Sequence, residues 1–247
     1  MNKPLISIII PNYNHAPFLQ QRLDSVFNQT FQDFEVILLD DASTDNTLFL
    51  ANEISMNHEN VIVCTVEENQ GALFGRHHIV NNIAKGKVVC FLGADDYLES
   101  TAIEIISKAY KNKDTLMTYG NWKTESGRIN EVFTYSDEVF KNKSFRRSKW
   151  KATALNTFKI DLLKAIPEYL LVDSSGKFYD NCTDLAYSFP ALELCKQNQV
   201  KVIRESLYIY RSKHSNTTLN RLGSLHKTRI REELKTKSII HKYYDEI

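Results

Sequence analysis

Two pairs of adjacent aspartates are the residues of this sequence best suited to bind a cation. Asp40 and Asp41 follow the apolar run "FEVILL", and Asp95 and Asp96 follow "VVCFLGA". Neighbouring carboxylates repel each other, so folding alone gives no reason to place them side by side. Each pair taken alone fits a solvated turn or a helix start, where aspartate is common. The other interpretation is that a pair supplies oxygen ligands to a divalent cation.

The apolar runs before these pairs predict strands of one sheet. "LISIII", "FEVILL", "VIVCTV" and "KVVCFL" are rich in β-branched residues and alternate with helical patterns. This alternation predicts a parallel sheet with helices on both faces. Ligands of such sheets bind outside the carboxyl ends of the strands, so both aspartate pairs are expected at one edge. Because Mg²⁺ or Mn²⁺ needs only one or two carboxylates besides phosphate oxygens, we predict a metal-assisted site for a nucleoside diphosphate compound.

The composition narrows the class of protein. The 247 residues carry 31 Lys and Arg against 30 Asp and Glu, a formal net charge of +1. Bulk nucleic-acid binding needs a broad positive surface, and this charge balance argues against it. None of the four cysteines forms a C-x-x-C pair, so we expect reduced thiols in a cytoplasmic protein without a zinc site. The start lacks a signal-peptide pattern, and no apolar stretch has the length of a membrane-spanning helix.

A long ordered signature joins the two aspartate pairs. It consists of "SIIIPNYNHAPFLQQRLDSVFNQTFQDFEVILLDDASTDNT" and "NQGALFGRHHIVNNIAKGKVVCFLGADD". This signature resembles the opening of the family 2 glycosyltransferases, which are inverting enzymes with the glycosyltransferase A fold. The resemblance implies an α/β fold with a mostly parallel central sheet flanked by helices, a smaller acceptor-side sheet and a C-terminal helix.

The pattern along the chain predicts one domain built from two halves. We expect a single glycosyltransferase domain over residues 1–220. Residues 1–98 form its nucleotide-sugar-binding half, and residues 99–220 form its acceptor-side half. Residues 221–247 are rich in Lys and Arg and predict a basic C-terminal helix.

The resemblance assigns the nucleotide to residues of the first half. Pro11 and Tyr13 match positions that line the pocket for the base, and Asp41 matches the carboxylate that contacts the base, usually uracil. The chemistry agrees, because a carboxylate can accept a hydrogen bond from the imide N–H of uracil. Arg76 matches a basic residue beside the nucleotide, and Asp95 matches the residue near the ribose.

The resemblance assigns the metal to Asp96, which matches the acidic residue that coordinates Mn²⁺ or Mg²⁺ on the diphosphate. Asp95 and the late His214 are further candidate ligands. Many family members carry another aspartate where this chain has Gly93, so one carboxylate fewer is available here. We therefore expect the metal to depend more on the phosphates of the substrate.

The second half resembles bacterial surface-glycan transferases around "TDLAYSFPALE". Inversion by a single displacement requires a base that takes the proton of the acceptor hydroxyl. The resemblance assigns this role to Asp184, and Asp180 is the alternative because it lies four residues earlier. The subgroup often shows His and Arg where this chain has Ala154 and Asn156, so contacts with the sugar or the acceptor are expected to differ here.

These assignments predict a metal-dependent glycosyltransferase. It would move a sugar from a nucleotide donor, a UDP-sugar, to the hydroxyl of a glycan or lipid-linked acceptor in surface polysaccharide or lipopolysaccharide synthesis. One alternative is a silent domain that binds nucleotide sugars or glycans. A second is a nucleotidyltransferase, although the first loop, "PNYNHAPF", lacks the glycine-rich basic sequence which that chemistry needs.

Two basic segments keep several interpretations. Residues 141–151, "KNKSFRRSKWK", fit a lid over the site, a peripheral contact with anionic lipids through Phe145 and Trp150, or a solvated loop. Residues 221–247 fit a helix that lies on a membrane surface or one that docks on the domain.

Overall fold

The structure, a computed structural model, describes residues 3–93, 95–211, 227–228 and 230–234. The strands are β1 Ile6–Asn12, β2 Phe34–Asp40, β3 Val61–Thr65, β4 Val88–Phe91, β5 Tyr97–Leu98, β6 Met117–Thr124, β7 Ile129–Asn130, β8 Ala154–Lys159 and β9 Val200–Tyr210. The α-helices are α1 Ala16–Phe27, α2 Thr47–Ser55, α3 Ala72–Asn82, α4 Ala102–Ala109, α5 Asp137–Lys141, α6 Ile160–Lys164 and α7 Thr183–Leu194. Within the described ranges the strands form one mixed sheet, ordered β3-β2-β1-β4-β8-β6-β9-β5, with β7 paired to β6.

The first four strands form the predicted parallel sheet. Strand β1 pairs in parallel with β2 on one side and with β4 on the other, and β3 pairs in parallel with β2. Alternate residues of β1 enter two different cores: Ile9 packs in the cluster that includes α3, and Ile8 packs in the cluster that includes α1. Burial on both faces explains why these strands are continuous apolar runs rather than alternating ones. All four cysteines are free thiols, as expected.

The strands within residues 99–220 differ from the predicted smaller acceptor-side sheet, because they extend the same sheet. Strand β8 pairs antiparallel with β4, β6 pairs antiparallel with β8, and β9 pairs in parallel with β6. This arrangement covers the second edge of β4, which would otherwise leave backbone groups unpaired inside the protein. The stretch "RINEVFTY" contributes only the two residues of β7 to the sheet. Beyond it, the Asn121 side chain accepts from the Val132 N–H at 2.7 Å and replaces the ladder.

The basic segment 141–151 is anchored in the core by two buried residues, Phe145 and Arg146, while several of its other residues are exposed. Phe145 is fully buried, and Trp150 lies edge-on to Phe189 of α7 with ring centroids 5.0 Å apart. Arg146 is also buried and donates through Nε and Nη2 to the two carboxylate oxygens of Glu193, at 2.6 and 2.8 Å. The predicted role of Phe145 as a lipid anchor is therefore wrong, because its side chain is fully buried.

The described part of the C-terminal region is helical and docks on the domain. Ile230 and Leu234 are buried in the core cluster that contains α7. The Leu234 carbonyl accepts from Arg146 Nη1 at 2.7 Å, and the Tyr179 hydroxyl donates to Glu233 at 3.0 Å. The remaining residues of the predicted helix 221–247 lie outside the described residues. Among the helices that are described, none has the length and apolar character needed to cross a bilayer.

The buried pair of Arg146 and Glu193 predicts a large effect on stability. Replacing Glu193 by Gln keeps the shape but leaves the guanidinium charge buried without its counter-ion, which we expect to cost about 3–5 kcal/mol. Chemical denaturation followed by circular dichroism measures this loss. A double variant, Arg146→Met with Glu193→Leu, should recover most of it, whereas Glu104→Gln in the exposed pair with Lys108 should change little. A loss for Glu193→Gln no larger than that of Glu104→Gln would contradict the argument.

Candidate functional site

The two aspartate pairs lie at the same edge of the sheet, as the sequence predicts. Strands β2 and β4 flank β1, and Asn12 at the end of β1 is in register with Asp40 at the end of β2. Asp40, Asp41 and Asp96 are buried, and Asp95 is half-buried. Four carboxylates thus lie at the edge where three parallel strands end, which is where ligands bind in sheets of this type.

Asp41 fixes the loop that precedes α3. Its two carboxylate oxygens accept from the backbone N–H groups of Gln70 and Gly71, each at 2.8 Å. Gly71 has φ +88°, a conformation that glycine adopts readily, and the next residue begins α3. Pro11 is buried near the end of β1, and Tyr13 follows it half-buried in the adjoining turn. Asp41 therefore has a structural task, the placement of α3, that the sequence did not indicate.

The Asp96 carboxylate is held on both oxygens. Oδ2 accepts from the Tyr208 hydroxyl, and Oδ1 accepts from the Arg211 backbone N–H at 2.8 Å. Burial raises the pKa of Asp96 to about 7 and the charge of Asp95 adds to this, while the hydrogen bonds from Tyr208 and Arg211 oppose it. Residues at the end of β9 therefore fix the orientation of the Asp96 carboxylate.

Arg211 anchors this end of β9. Its Nε donates to the Asp95 carbonyl at 2.9 Å, and its Nη2 donates to Gln21 of α1. Its Nη1 pairs with Glu125 at 3.2 Å, and its guanidinium lies 4.9 Å from the ring centroid of Phe18. Sequence reasoning missed this residue; the available signal was an arginine directly after the apolar and aromatic run "LYIY".

A second arginine, Arg22, is buried behind the acidic pair. Its Nη2 donates to the Asn12 side chain, and its Nε and Nη1 have no hydrogen-bond partner among the described residues. Burial lowers the pKa of Arg22 to about 10, and the charges of Asp95 and Asp96 oppose that change. The sequence signal for it was a basic residue on the apolar face of α1, beside Leu23.

Arg76 connects α3 to the helix that carries Asp184. Its Nη1 donates to the Thr183 hydroxyl at 2.7 Å, and its guanidinium lies 5.0 Å from the ring centroid of Phe91. Asp184 follows in the first turn of α7. Burial raises the pKa of Asp184, and the nearby charges of Arg76 and Lys227 partly counteract this. The sequence-predicted Arg76 and Asp184 are therefore brought together.

A small cavity of about 80 Å³ lies between Tyr208, the partner of Asp96, and the contact of Arg76 with the start of α7. It lies between β4, β8, α3 and α7, and its lining includes Arg76, Gly93, Asn156, Asp184, Tyr187 and Tyr208. Three of these residues carry a buried polar atom without a hydrogen-bond partner among the described residues: Arg76 Nε, Asn156 Oδ1 and Tyr187 Oη. Because unsatisfied buried polar groups are costly, such a lining favours a polar ligand. Sequence reasoning missed Tyr187 and Tyr208.

The alternative base Asp180 is placed differently. It is exposed and precedes the left-handed residue Cys182, at which the chain turns into α7. Among the described residues that line the cavity, Asp184 is present and Asp180 is not. The four-residue spacing therefore does not bring both carboxylates into one cleft, because the turn at Cys182 separates them.

The acidic pair fits a magnesium or manganese ion by its chemistry. Asp95 and Asp96 offer only oxygen ligands, and such ions are usually held by one or two carboxylates together with substrate phosphates. The described residues contain no group of three or more His, Cys, Asp or Glu side chains arranged to hold a metal. The residues present thus suit a metal shared with a substrate rather than a cage made by the protein alone. His214 lies outside the described residues.

A known protein family matches the part of the chain that contains both aspartate pairs. The family model "Glycosyl transferase family 2" matches residues 7–164, which is more than half of the chain. Among curated relatives, hyaluronan synthase of Pasteurella multocida is 28% identical over 98% of this chain and 24% of its own length. A poly(ribitol-phosphate) beta-glucosyltransferase of Bacillus spizizenii is 36% identical over 50% of this chain and 20% of its own length. The chain therefore spans about a quarter or less of these two relatives.

Solved structures share the architecture at lower identity. S. aureus TarS residues 1–349, crystallised with UDP-GlcNAc, has a TM-score of 0.63 at 22% identity, covering 85% of this chain and 59% of that one. The mannosyltransferase PcManGT of Pyrobaculum calidifontis, with GDP-Man and Mn²⁺, has a TM-score of 0.53 at 18% identity, covering 83% and 58%. These similarities confirm the glycosyltransferase A fold. With the family match over residues 7–164, they show that the chain belongs to glycosyl transferase family 2.

Proposed function

We propose that this chain transfers a sugar from a UDP-sugar to a hydroxyl of a glycan or lipid-linked acceptor, with inversion, in surface polysaccharide or lipopolysaccharide synthesis. The observation that carries the proposal is the cavity at which Arg76 and Asp184 meet Tyr208, the partner of Asp96. One polar pocket then adjoins the acidic pair, the buried guanidinium of Arg76 and the carboxylate of Asp184. The hyaluronan synthase and beta-glucosyltransferase relatives support a role in making such polymers.

The donor nucleotide is proposed to lie across the ends of β1 and β2. Pro11 and Tyr13 would line the base, Asp41 would accept from it, and Asp95 would lie near the ribose. The anchoring of Asp41 by Gln70 and Gly71 supports this, because a carboxylate that is held in place binds with less loss of side-chain freedom. The UDP-GlcNAc complex of TarS supports a uridine donor.

The diphosphate is proposed to lie between the acidic pair and Arg76. Asp96, with Asp95 beside it, would hold Mn²⁺ or Mg²⁺, and the bound ion supplies Lewis-acid stabilisation of the charge on the leaving group. Arg76 adds a positive charge from α3, inside a pocket where burial strengthens electrostatic interactions. The Mn²⁺ complex of PcManGT supports the use of a divalent ion.

Asp184 is proposed as the general base. The attacking hydroxyl must lose its proton to a group within hydrogen-bond reach, and Asp184 lines the cavity from the start of α7. Burial raises the pKa of this carboxyl, which makes it a stronger base, and Arg76 with Lys227 favours its ionised form. The exposed position of Asp180 makes it the weaker candidate.

The two halves of the domain would divide these tasks. Residues 1–98 supply the groups proposed for the donor, and residues 99–220 supply Asp184 and the cavity walls from β8 and α7. Strands β4 and β8 pair antiparallel between the halves, with Cys90 in register with Thr157. Because the cavity lies along this pairing, we propose that the transferred sugar occupies the boundary between the halves.

The base assignment predicts a separation of binding from transfer. Asp184→Asn should keep the dissociation constant for the UDP-sugar near its wild-type value but lower the transfer rate by about 100-fold or more. Isothermal titration calorimetry and a UDP-release assay measure the two quantities. Asp180→Asn is the matched control and should retain the wild-type rate. Wild-type transfer by Asp184→Asn would contradict the assignment.

The donor site predicts metal-dependent stabilisation by uridine nucleotides. Thermal unfolding of the chain with a panel of UDP- and GDP-sugars, with and without Mn²⁺, should show a rise in Tm that requires both a uridine compound and the metal. A ligand at a hundred times its Kd stabilises by about 2.7 kcal/mol, enough to move Tm measurably. In Asp96→Asn, the addition of Mn²⁺ should no longer increase the Tm shift, and most of the shift itself should be lost. No response to any nucleotide would contradict a nucleotide-sugar transferase and favour a silent domain that binds glycans.

A further inference from the structure

Gly93 and Tyr208 lie at the point where the acidic pair meets the cavity. Tyr208, on β9, is 9% exposed, and its hydroxyl donates to Asp96 Oδ2. A carboxylate oxygen can only accept, so the phenol O–H of Tyr208 is the donor in this hydrogen bond. Both Gly93 and Tyr208 also line the cavity.

The space beside Gly93 is taken by this hydrogen bond. A Cβ atom on Gly93 would lie 2.7 Å from Asp96 Oδ2 and 2.8 Å from the Tyr208 hydroxyl. Both distances are shorter than a carbon–oxygen van der Waals contact, and both oxygen atoms are held by their mutual hydrogen bond. Any side chain at position 93 therefore competes with the contact between Asp96 and Tyr208. The Tyr208 hydroxyl thus occupies the space that a carboxylate side chain at position 93 would need.

The hydrogen bond also limits how Asp96 can turn. The Arg211 backbone N–H holds Oδ1 at 2.8 Å, so Tyr208 supplies the second fixed point of the carboxylate. Strand β5 pairs antiparallel with β9, with Leu98 in register with Tyr208. The residues directly after the acidic pair are thereby hydrogen-bonded to the strand that carries Tyr208, which fixes the distance between Tyr208 and Asp96.

We propose that Tyr208 is the positioning residue of the metal site: its hydroxyl orients the Asp96 carboxylate toward a divalent cation, and position 93 is glycine because that hydrogen bond needs the space. The proposal rests on the proposed function, since the cation belongs to it. Partners that orient a metal-binding carboxylate typically contribute about 10- to 100-fold to metal affinity.

The test is the affinity for Mn²⁺ in the presence of saturating UDP, measured by electron paramagnetic resonance of free Mn²⁺. Tyr208→Phe should weaken Mn²⁺ binding about 10-fold or more. Tyr119→Phe is the matched control, because Tyr119 is also buried and its hydroxyl donates to the Phe133 carbonyl at 3.0 Å, away from the cavity lining. That control should keep the wild-type Mn²⁺ affinity, which separates a local effect from general loss of a buried hydroxyl.

A double-mutant cycle tests the role of position 93. Gly93→Ala should weaken Mn²⁺ binding in the presence of Tyr208, and its effect should shrink in the Tyr208→Phe background, where Asp96 can turn away from the added methyl group. If wild-type protein binds Mn²⁺ with UDP and Tyr208→Phe binds it equally well, this inference fails and the proposed function stands. If wild-type protein binds no nucleotide with or without Mn²⁺, the proposed function fails and takes this inference with it.

Discussion

Four aspartates lie at the ends of two parallel strands that flank β1, and the fold must hold their negative charge at one edge of the sheet, with three of the four buried. Arg22 from α1 supplies positive charge near Asp95 and Asp96, and Arg211, directly after β9, donates hydrogen bonds to both residues. Carboxylates buried without such partners would be protonated or would destabilise the fold. The packing of α1 places Arg22 near the acidic pair, and the pairing of β9 into the sheet places Arg211 there. A strand added near the end of the described domain thus completes a site begun by its first strands.

The antiparallel pairing of β8 with β4 has the second large consequence. It extends the sheet past the last parallel strand and brings α7 beside α3, so that Thr183 accepts a hydrogen bond from Arg76. Asp184 is placed by that contact, one residue further along. The same region is held from behind by the buried pair of Arg146 and Glu193, which also binds the carbonyl of Leu234. Support of the proposed base therefore extends to the C-terminal helix.

Local patterns in the sequence were sufficient for the first half and insufficient for the second. Strands such as Ile6–Asn12 are buried on both faces, so their continuous apolar runs identify them, and each is joined to the next strand along the chain by a helix. The later strands pair with partners far away in the chain, and the stretch after Ile129 is held by the Asn121 side chain instead of a ladder. No local pattern marked Arg146 as buried, because its counter-ion, Glu193, is remote in sequence.

The sequence by itself determined the parallel half of the sheet, the position of both aspartate pairs at its carboxyl edge and the family, because apolar periodicity and ordered motifs are local properties. Only the tertiary structure decided which groups surround those aspartates. Tyr208 lies 112 residues after Asp96, yet its hydroxyl occupies the space that a side chain at Gly93 would need. The glycine looked like a lost ligand in the sequence; in the structure it makes room for a hydrogen bond. Steric exclusion between residues so far apart in the chain arises only when β9 takes its place in the sheet.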